Sequence, residues 1–432
     1  MFIKRIQLGM IHMAVAMTLV PITSTLNRVM IHELGMAATL VAIMASVPYL
    51  FSPLQVAIGS YADRHPIFGL RRTPYILLGL LLCVVGLAVS PEIALLIVKN
   101  PPLGFFCAAL GFGAWGMGYN FSTVSYLSLA SELSGKEGRG KTVAIMWFMM
   151  IVSVIVTAIS VGKMVKDYTP EALQNAFWVV SAVSLVIGLL GLIRLESRFR
   201  DETLMPAENY TLKEMLDAIL KSRQMTLFFW YLTLLLIALV GQDILLEPFA
   251  AERFGMTVEQ TTRITSIWGT AVLATILVAG ALERRVPRKL VAQIGNIGAL
   301  GGFALILLSG FTASKAVFYT GAVLLGAGTG LSTVANLALM FELTIPGYMG
   351  LFIGAWGVSN ALSRLVANMM AGIVRDVVSN VLHNTMAGYL VVFGIEIAIL
   401  AVTIVLLVKI DVNAFQQQVD IPSALERAAL AE

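Results

Sequence analysis

The chain alternates between long apolar runs and short polar breaks. Apolar segments fall roughly at residues 6–31, 36–60, 74–97, 102–131, 142–163, 174–195, 224–249, 263–282, 289–310, 315–340, 348–374 and 386–409. Most reach the ~20 residues that an α-helix needs to cross the hydrocarbon of a bilayer. No charge occurs from Leu290 to Ser314 or from Pro74 to Pro91. Runs of this length exceed barrel strands, and open strand edges do not survive in lipid, so the pattern predicts twelve membrane-spanning helices.

The polar breaks carry a second pattern. Basic clusters at Arg64/Arg71/Arg72, Lys136/Arg139/Lys141, Arg194 to Arg223 and Arg284/Arg285/Arg288/Lys289 recur at every second connection. Excess Lys and Arg mark the cytoplasmic side, so both termini are expected there. Lys4 and Arg5 before the first apolar run imitate a signal peptide, but the run continues to about Ile31 without a small-residue cleavage site. It reads as a retained first span.

The two halves repeat. A shift of 210 residues lays Gly116–Leu133 on Gly326–Leu343 with nine of 18 positions identical, among them Ser122-Thr123-Val124 on Ser332-Thr333-Val334 and Glu132-Leu133 on Glu342-Leu343. A shift of 220 lays Gly35-Met36 on Gly255-Met256 and Asp63-Arg64 on Glu283-Arg284. A parallel six-plus-six repeat is a transporter architecture in which two bundles flank a central site. The expected division is 1–195 for the first bundle, 196–223 for a linker and 224–432 for the second bundle with a short tail. Within the linker, Thr211-x-x-Glu214 is a capping-box pattern. Leu212, Met215, Leu216, Ile219 and Leu220 follow at helical spacing. That predicts an amphipathic helix on the cytoplasmic membrane face.

Composition narrows the class. The chain is 58% hydrophobic and 12% charged with a mean hydropathy of +0.87, against about 25% charged for a soluble domain. A soluble enzyme is excluded on that ground. A net charge of +4 gives no support to nucleic-acid binding. Cys83 and Cys107 lie apart, with no metal-ligand spacing. No nucleotide-binding glycine loop, Ser/His/Asp set or metal cluster is evident, so no enzyme activity is expected.

Charges inside spans are functional suspects. Arg28 follows Asn27 near the outer end of the first span, and Gln242, Asp243 and Glu247 lie near that of the seventh. The expectation is that Arg28 pairs with Asp243 or Glu247 as an outer gate; a static packing pair is the plainer alternative. Arg364 in the eleventh span and Glu396 in the twelfth are expected to pair, since a lone carboxylate at that depth must be neutral, paired or ligated. His12 is the histidine within a span, so His12 or Glu396 could ligate a tetrapyrrole metal, though a hydrogen-bonded core histidine is the commoner case. Asn120 and Tyr126 on the fourth span and Asn336 on the tenth could line a cavity, or form interhelical hydrogen bonds instead.

Gly59-x-x-x-Asp63-Arg64, followed by Arg71-Arg72, resembles the loop 2–3 signature of the major facilitator superfamily, with His65 to Leu70 as extra residues between its two parts. The expected roles are structural: Gly59 for close backbone approach, Asp63 at a neighbouring helix N-terminus, and Arg64, Arg71 and Arg72 as surface anchors. Glu132 and Glu342 are expected to make equivalent structural contacts at the ends of the fourth and tenth spans.

Leu26-Asn27-Arg28-Val29-Met30-Ile31-His32-Glu33-Leu34, Arg71-Arg72-Thr73-Pro74-Tyr75-Ile76 and Leu129 to Trp147 resemble the PucC/LhaA family, the bacteriochlorophyll delivery family of the major facilitator superfamily. The resemblance implies an all-α polytopic fold and a part in assembling light-harvesting or reaction-centre polypeptides. It also implies (bacterio)chlorophyll as bound cargo and a membrane of a phototrophic bacterium. The residues by themselves leave three readings: a pigment-handling assembly factor, a secondary transporter of a small solute, and a structural subunit of the antenna.

Overall fold

The structure is a computed structural model that describes residues 2–50, 65–196, 223–282, 286–343 and 349–412. The expected linker helix, Gly59, Asp63 and Arg64, and the C-terminal tail lie outside these residues. So does the side chain of Glu342.

Helices dominate, and among the described residues extended pairing is limited to a bridge between Ile67 and Leu70. The helices are α1 (Phe2–Glu33), α2 (Ala38–Leu50), α3 (Thr73–Lys99), α4 (101–134), α5 (Lys141–Met164), α6 (Pro170–Leu192), α7 (Arg223–Phe254), α8 (Val258–Leu282), α9 (Arg288–Thr312), α10 (Lys315–Glu342), α11 (Met349–Leu382) and α12 (Thr385–Lys409). Ten stretches among the described residues are long and apolar enough to cross a membrane. The architecture is that of a major facilitator transporter, a multi-pass membrane protein of two six-helix repeats.

The helical stretch Pro101–Met164 is not straight: the chain doubles back between α4 and α5. A straight helix rises ~12 Å over eight residues, but Ser134 Oγ and Thr142 Oγ1 lie 2.6 Å apart. His12 likewise meets both Tyr126 and Trp147, with ring centroids at 5.0 and 5.9 Å.

Packing repeats between the halves. A Cβ on Gly79 would fall 2.5 Å from the Gly118 carbonyl, where α3 presses on α4. In the second half a Cβ on Gly295 would fall 2.5 Å from Ser332 Oγ, where α9 presses on α10. Without hydrophobic drive inside lipid, such close approach is what holds helices together. Ser122 donates to the Ile76 carbonyl and Ser332 to Asn296 Oδ1. The repeated Gly and Ser residues are therefore packing residues.

α1 is not a plain helix. After Pro21 it widens into π turns at Pro21–Leu26 and Val29–Glu33. Proline lacks the N–H for the ladder, and π turns recur at functional sites. The segment they re-aim carries Ser24, Asn27 and Arg28. The six extra residues before Arg71 form a tight turn: Phe68 and Gly69 both have positive φ, and Ile67 and Leu70 exchange two 3.0 Å hydrogen bonds.

All odd-numbered helices start at one end of the bundle, here the proximal end; the other is the distal end. At the proximal end Glu196 caps α3, accepting from Arg71 N at 2.8 Å and Thr73 N at 2.7 Å. Arg72 donates to Glu132 Oε1 through Nε at 3.1 Å and Nη2 at 3.0 Å. Arg72 is buried, which corrects its expected role as a surface anchor.

Candidate functional site

The two halves meet along α2 against α11 and α5 against α8, with α1 wedged against α7 and α8. The side-chain contacts that join them run from the distal end to mid-depth. Asp376 on α11 accepts from Ala38 N at 3.2 Å and Thr39 N at 2.7 Å, which are the exposed donors at the start of α2. Helix N-termini favour a negative charge because their amides lack carbonyl partners. Thr39 Oγ1 donates back to the Gly372 carbonyl at 3.2 Å. Arg375 holds Asp376 at 2.9 Å and Glu252 at 3.0 Å, with its guanidinium 4.8 Å from the Tyr389 ring. Sequence reasoning passed over Asp376, Arg375 and Glu252. The signal was there: an adjacent Arg375-Asp376 pair just past the end of the apolar segment 348–374.

Arg28 sits at the same end, 2% exposed. It pairs with Glu33 at 2.5 Å and donates to the Met256 carbonyl at 3.1 Å. The expected pairing with Asp243 or Glu247 is thus replaced by an acid five residues along the same helix, which the π turn brings round. Arg28 still crosses to the second half, through a backbone carbonyl. Glu247 instead accepts from Ser24 and, at 2.8 Å, from Thr265. A buried carboxylate fed by two hydroxyls ties α1, α7 and α8 together, and Thr25 meets Thr262 at 3.3 Å one step away.

At mid-depth, Arg364 Nη1 lies 3.7 Å from Asp243 Oδ2. Its Nε donates to Asn360 Oδ1 at 3.1 Å, and its guanidinium lies 5.6 Å from the Tyr49 ring on α2. Arg364 therefore pairs with Asp243, not with Glu396 as expected. Thr23, Asn27, Tyr49, Asp243, Arg364 and Asn368 enclose a cavity of about 10 Å³, room for about one water. Asn27 Nδ2 is turned to the Thr23 carbonyl at 2.8 Å, and Asn368 Nδ2 reaches the Ala45 carbonyl across the seam at 3.4 Å. The distal cleft is larger, about 500 Å³, and is lined by polar groups of Glu252, Arg375, Asp376, Asn380 and His32.

Glu396 is fully buried on α12, and neither carboxylate oxygen has a hydrogen-bond partner among the described residues. Its Oε1 rests against Gly241 of α7, where a Cβ would fall 2.5 Å away. His12 is buried beneath Tyr126 and Trp147. Both candidate tetrapyrrole ligands are sealed in this conformation, so neither offers an open axial position to a macrocycle. Tyr126 and Asn120 are buried as well. Asn336 accepts from Tyr231 at 2.9 Å, Tyr231 accepts from Asn296 at 3.0 Å, and Ser332 completes the chain at 2.8 Å. For Asn336 the interhelical alternative holds: it braces α7, α9 and α10.

The geometry describes two bundles latched together distally, with one ion pair at mid-depth. Among the described residues, the groups along this seam serve as helix caps, ion pairs and hydrogen bonds that join the halves. The family profile described as PUCC protein matches residues 25–415. The chain is 30% identical over 418 residues to Protein PucC of Rhodobacter capsulatus, covering 93% of this chain and 90% of that one. It is 29% identical to Protein PucC of Cereibacter sphaeroides, covering 94% and 92%. Among solved structures, the nucleoside transporter NupG superposes with a TM-score of 0.74 at 14% identity, covering 94% of this chain and 99% of that one. The fold is thus one shared with a solved transporter, and the family is that of the PUCC profile.

Proposed function

The chain belongs to the PUCC protein family, and from that premise we propose that it serves photosynthetic complex assembly by holding or delivering (bacterio)chlorophyll as antenna or reaction-centre polypeptides are built. The family match over residues 25–415 carries this reading. The physical character of the seam supports it. A pigment that is mostly hydrocarbon suits a path with few charges, and the Tyr49 ring lies 5.6 Å from the guanidinium of the mid-depth pair. In the conformation described, the distal part of that path is shut and the mid-depth cavity is water-sized. The pigment therefore enters from the proximal side or from the bilayer in a conformation where the halves have separated. The excess of Lys and Arg at the proximal connections supports a cytoplasmic proximal end.

The test is deletion of the gene in its phototrophic host, followed by whole-cell absorbance of the antenna bands. The expected result is loss of antenna absorbance with pigment synthesis intact. Unchanged antenna would overturn the reading. A second reading, a secondary transporter of a small solute, rests on the Asp243–Arg364 pair at mid-depth, where transporters place their binding sites. Uptake of a water-soluble solute by reconstituted, pigment-free protein would favour it.

A further inference from the structure

Three acids follow one another along the seam side of α7, and the middle one is held differently. Asp243 pairs with Arg364, and Glu252 pairs with Arg375. Glu247, between them, is 4% exposed, and the groups that touch its carboxyl are hydroxyls: Ser24 of α1 and, at 2.8 Å, Thr265 of α8. Both donate to Oε1, and the two hydroxyl oxygens lie 3.2 Å apart. Oε2 is buried and has no hydrogen-bond partner among the described residues. The neighbouring hydroxyls are engaged elsewhere: Thr261 donates to the Val258 carbonyl at 3.1 Å, and Thr25 meets Thr262 at 3.3 Å. The charged and titratable groups on the surrounding helices are engaged too. On α1, Arg28 is held by Glu33 and the Met256 carbonyl. On α11, Arg364 and Arg375 serve the other two acids. On α12, Glu396 lies at Gly241 and Tyr389 donates to Glu252. On α2, Tyr49 faces Arg364.

This arrangement suits a protonated acid. An ionised carboxylate in a low-dielectric interior calls for a counter-charge and for donors on both oxygens. A carboxylic acid calls for donors on its carbonyl oxygen alone, because the other oxygen carries the proton. Two hydroxyls converge on Oε1 and none reaches Oε2, so Oε1 is the carbonyl oxygen and Oε2 the hydroxyl. The contact also crosses between the halves: Ser24 belongs to the first, Glu247 and Thr265 to the second. If α1 withdraws, Ser24 leaves and water reaches the carboxyl, and water solvates the ionised form.

We propose that Glu247 is a proton site built across the seam, which binds one proton when α1 docks against α7 and α8 and releases it to water when the halves part there. The balance is one proton per opening, regained on closure from water in the same seam. Closure binds the proton, so acid favours the closed seam and base the open one. The inference goes beyond pigment handling and holds whatever the cargo.

The test takes two measurements on the full chain in lipid nanodiscs. The first is infrared spectroscopy at neutral pH, read in the carbonyl-stretch band of protonated carboxylic acids. Wild type is expected to show a component that Glu396→Gln leaves in place and Glu247→Gln removes. Ser24→Ala and Thr265→Val each take one donor from Oε1 and should move that component to higher frequency. A band unchanged by Glu247→Gln would overturn the proton. A band unmoved by both Ser24→Ala and Thr265→Val would overturn the site even if Glu247→Gln fails to fold. The second is double electron–electron resonance between spin labels at Lys166→Cys and Lys315→Cys, with Cys107 replaced by serine. The closed-to-open ratio should rise on acidification by up to about tenfold per pH unit, and Glu247→Gln, which cannot ionise, should stay closed with that dependence lost. A wild-type ratio that ignores pH, or a Glu247→Gln variant with the full wild-type dependence, would overturn the coupling.

Discussion

Replacing Asp376 with alanine should unlatch the distal end. The carboxylate accepts from Ala38 N and Thr39 N, both at the start of α2, and it belongs to the other half of the molecule. Loss of an N-terminal cap costs about 0.5–2 kcal/mol, and the favourable charge at a helix N-terminus is worth about 0.3–1 kcal/mol more. Arg375 keeps Glu252 at 3.0 Å and Tyr389 at 3.2 Å, so its own loss adds little. The sum is about 2 kcal/mol, and at 1.4 kcal/mol per decade the closed-to-open ratio falls about 30-fold. Asp376→Asn keeps an acceptor without the charge, which costs about 0.3–1 kcal/mol and so a roughly two- to five-fold shift. The assay is double electron–electron resonance between spin labels at Lys166→Cys and Lys315→Cys, exposed distal positions in opposite halves, with Cys107 replaced by serine. Wild type should give a short-distance population that Asp376→Ala converts largely to a longer one. Identical distributions for wild type and Asp376→Ala would refute the latch, and so would an asparagine variant as severe as the alanine one.

Other perturbations separate the remaining contacts. Glu33→Ala leaves Arg28 buried without its acid, which should cost about 3–5 kcal/mol and appear as a lower thermal midpoint; a midpoint equal to that of wild type would contradict the pair. Gly79→Ala and Gly295→Ala push a methyl into the α3–α4 and α9–α10 contacts, with an expected loss of about 1–3 kcal/mol each. Gly394→Ala meets nothing within 4 Å, so it should instead stabilise by about 0.4–1 kcal/mol; the same sign for all three would show that close approach is not what sets the cost. Glu196→Ala removes the cap of α3 and should destabilise by about 0.5–2 kcal/mol, measured by thermal melting in detergent.

The fold was legible because its signals are collective. Apolar length, alternating basic breaks and the Gly116–Leu133 repeat all point to two bundles of six, and the structure repeats the Gly79 contact at Gly295. The partners of buried charges were not legible, because partner choice depends on helix rotation to within part of a turn. The π turns after Pro21 rotate Arg28 toward Glu33, and no hydropathy pattern records such a turn. Arg364 had two acids within reach of a plausible guess, and the choice of Asp243 over Glu396 turns on which face of α11 meets α7. Asp376 was overlooked for a different reason: it caps the backbone of α2 in the other half, and neither that backbone nor its neighbour Arg375 marks the contact in the sequence.

Pigment carriage is the claim on which the functional account stands, and it is tested most directly by adding (bacterio)chlorophyll to the purified full chain in nanodiscs, washing, and recording the red absorption band of what remains. The account predicts a saturable band at about one pigment per chain, displaced in position from pigment in empty nanodiscs. A band no larger than that of empty nanodiscs at every pigment concentration would contradict it.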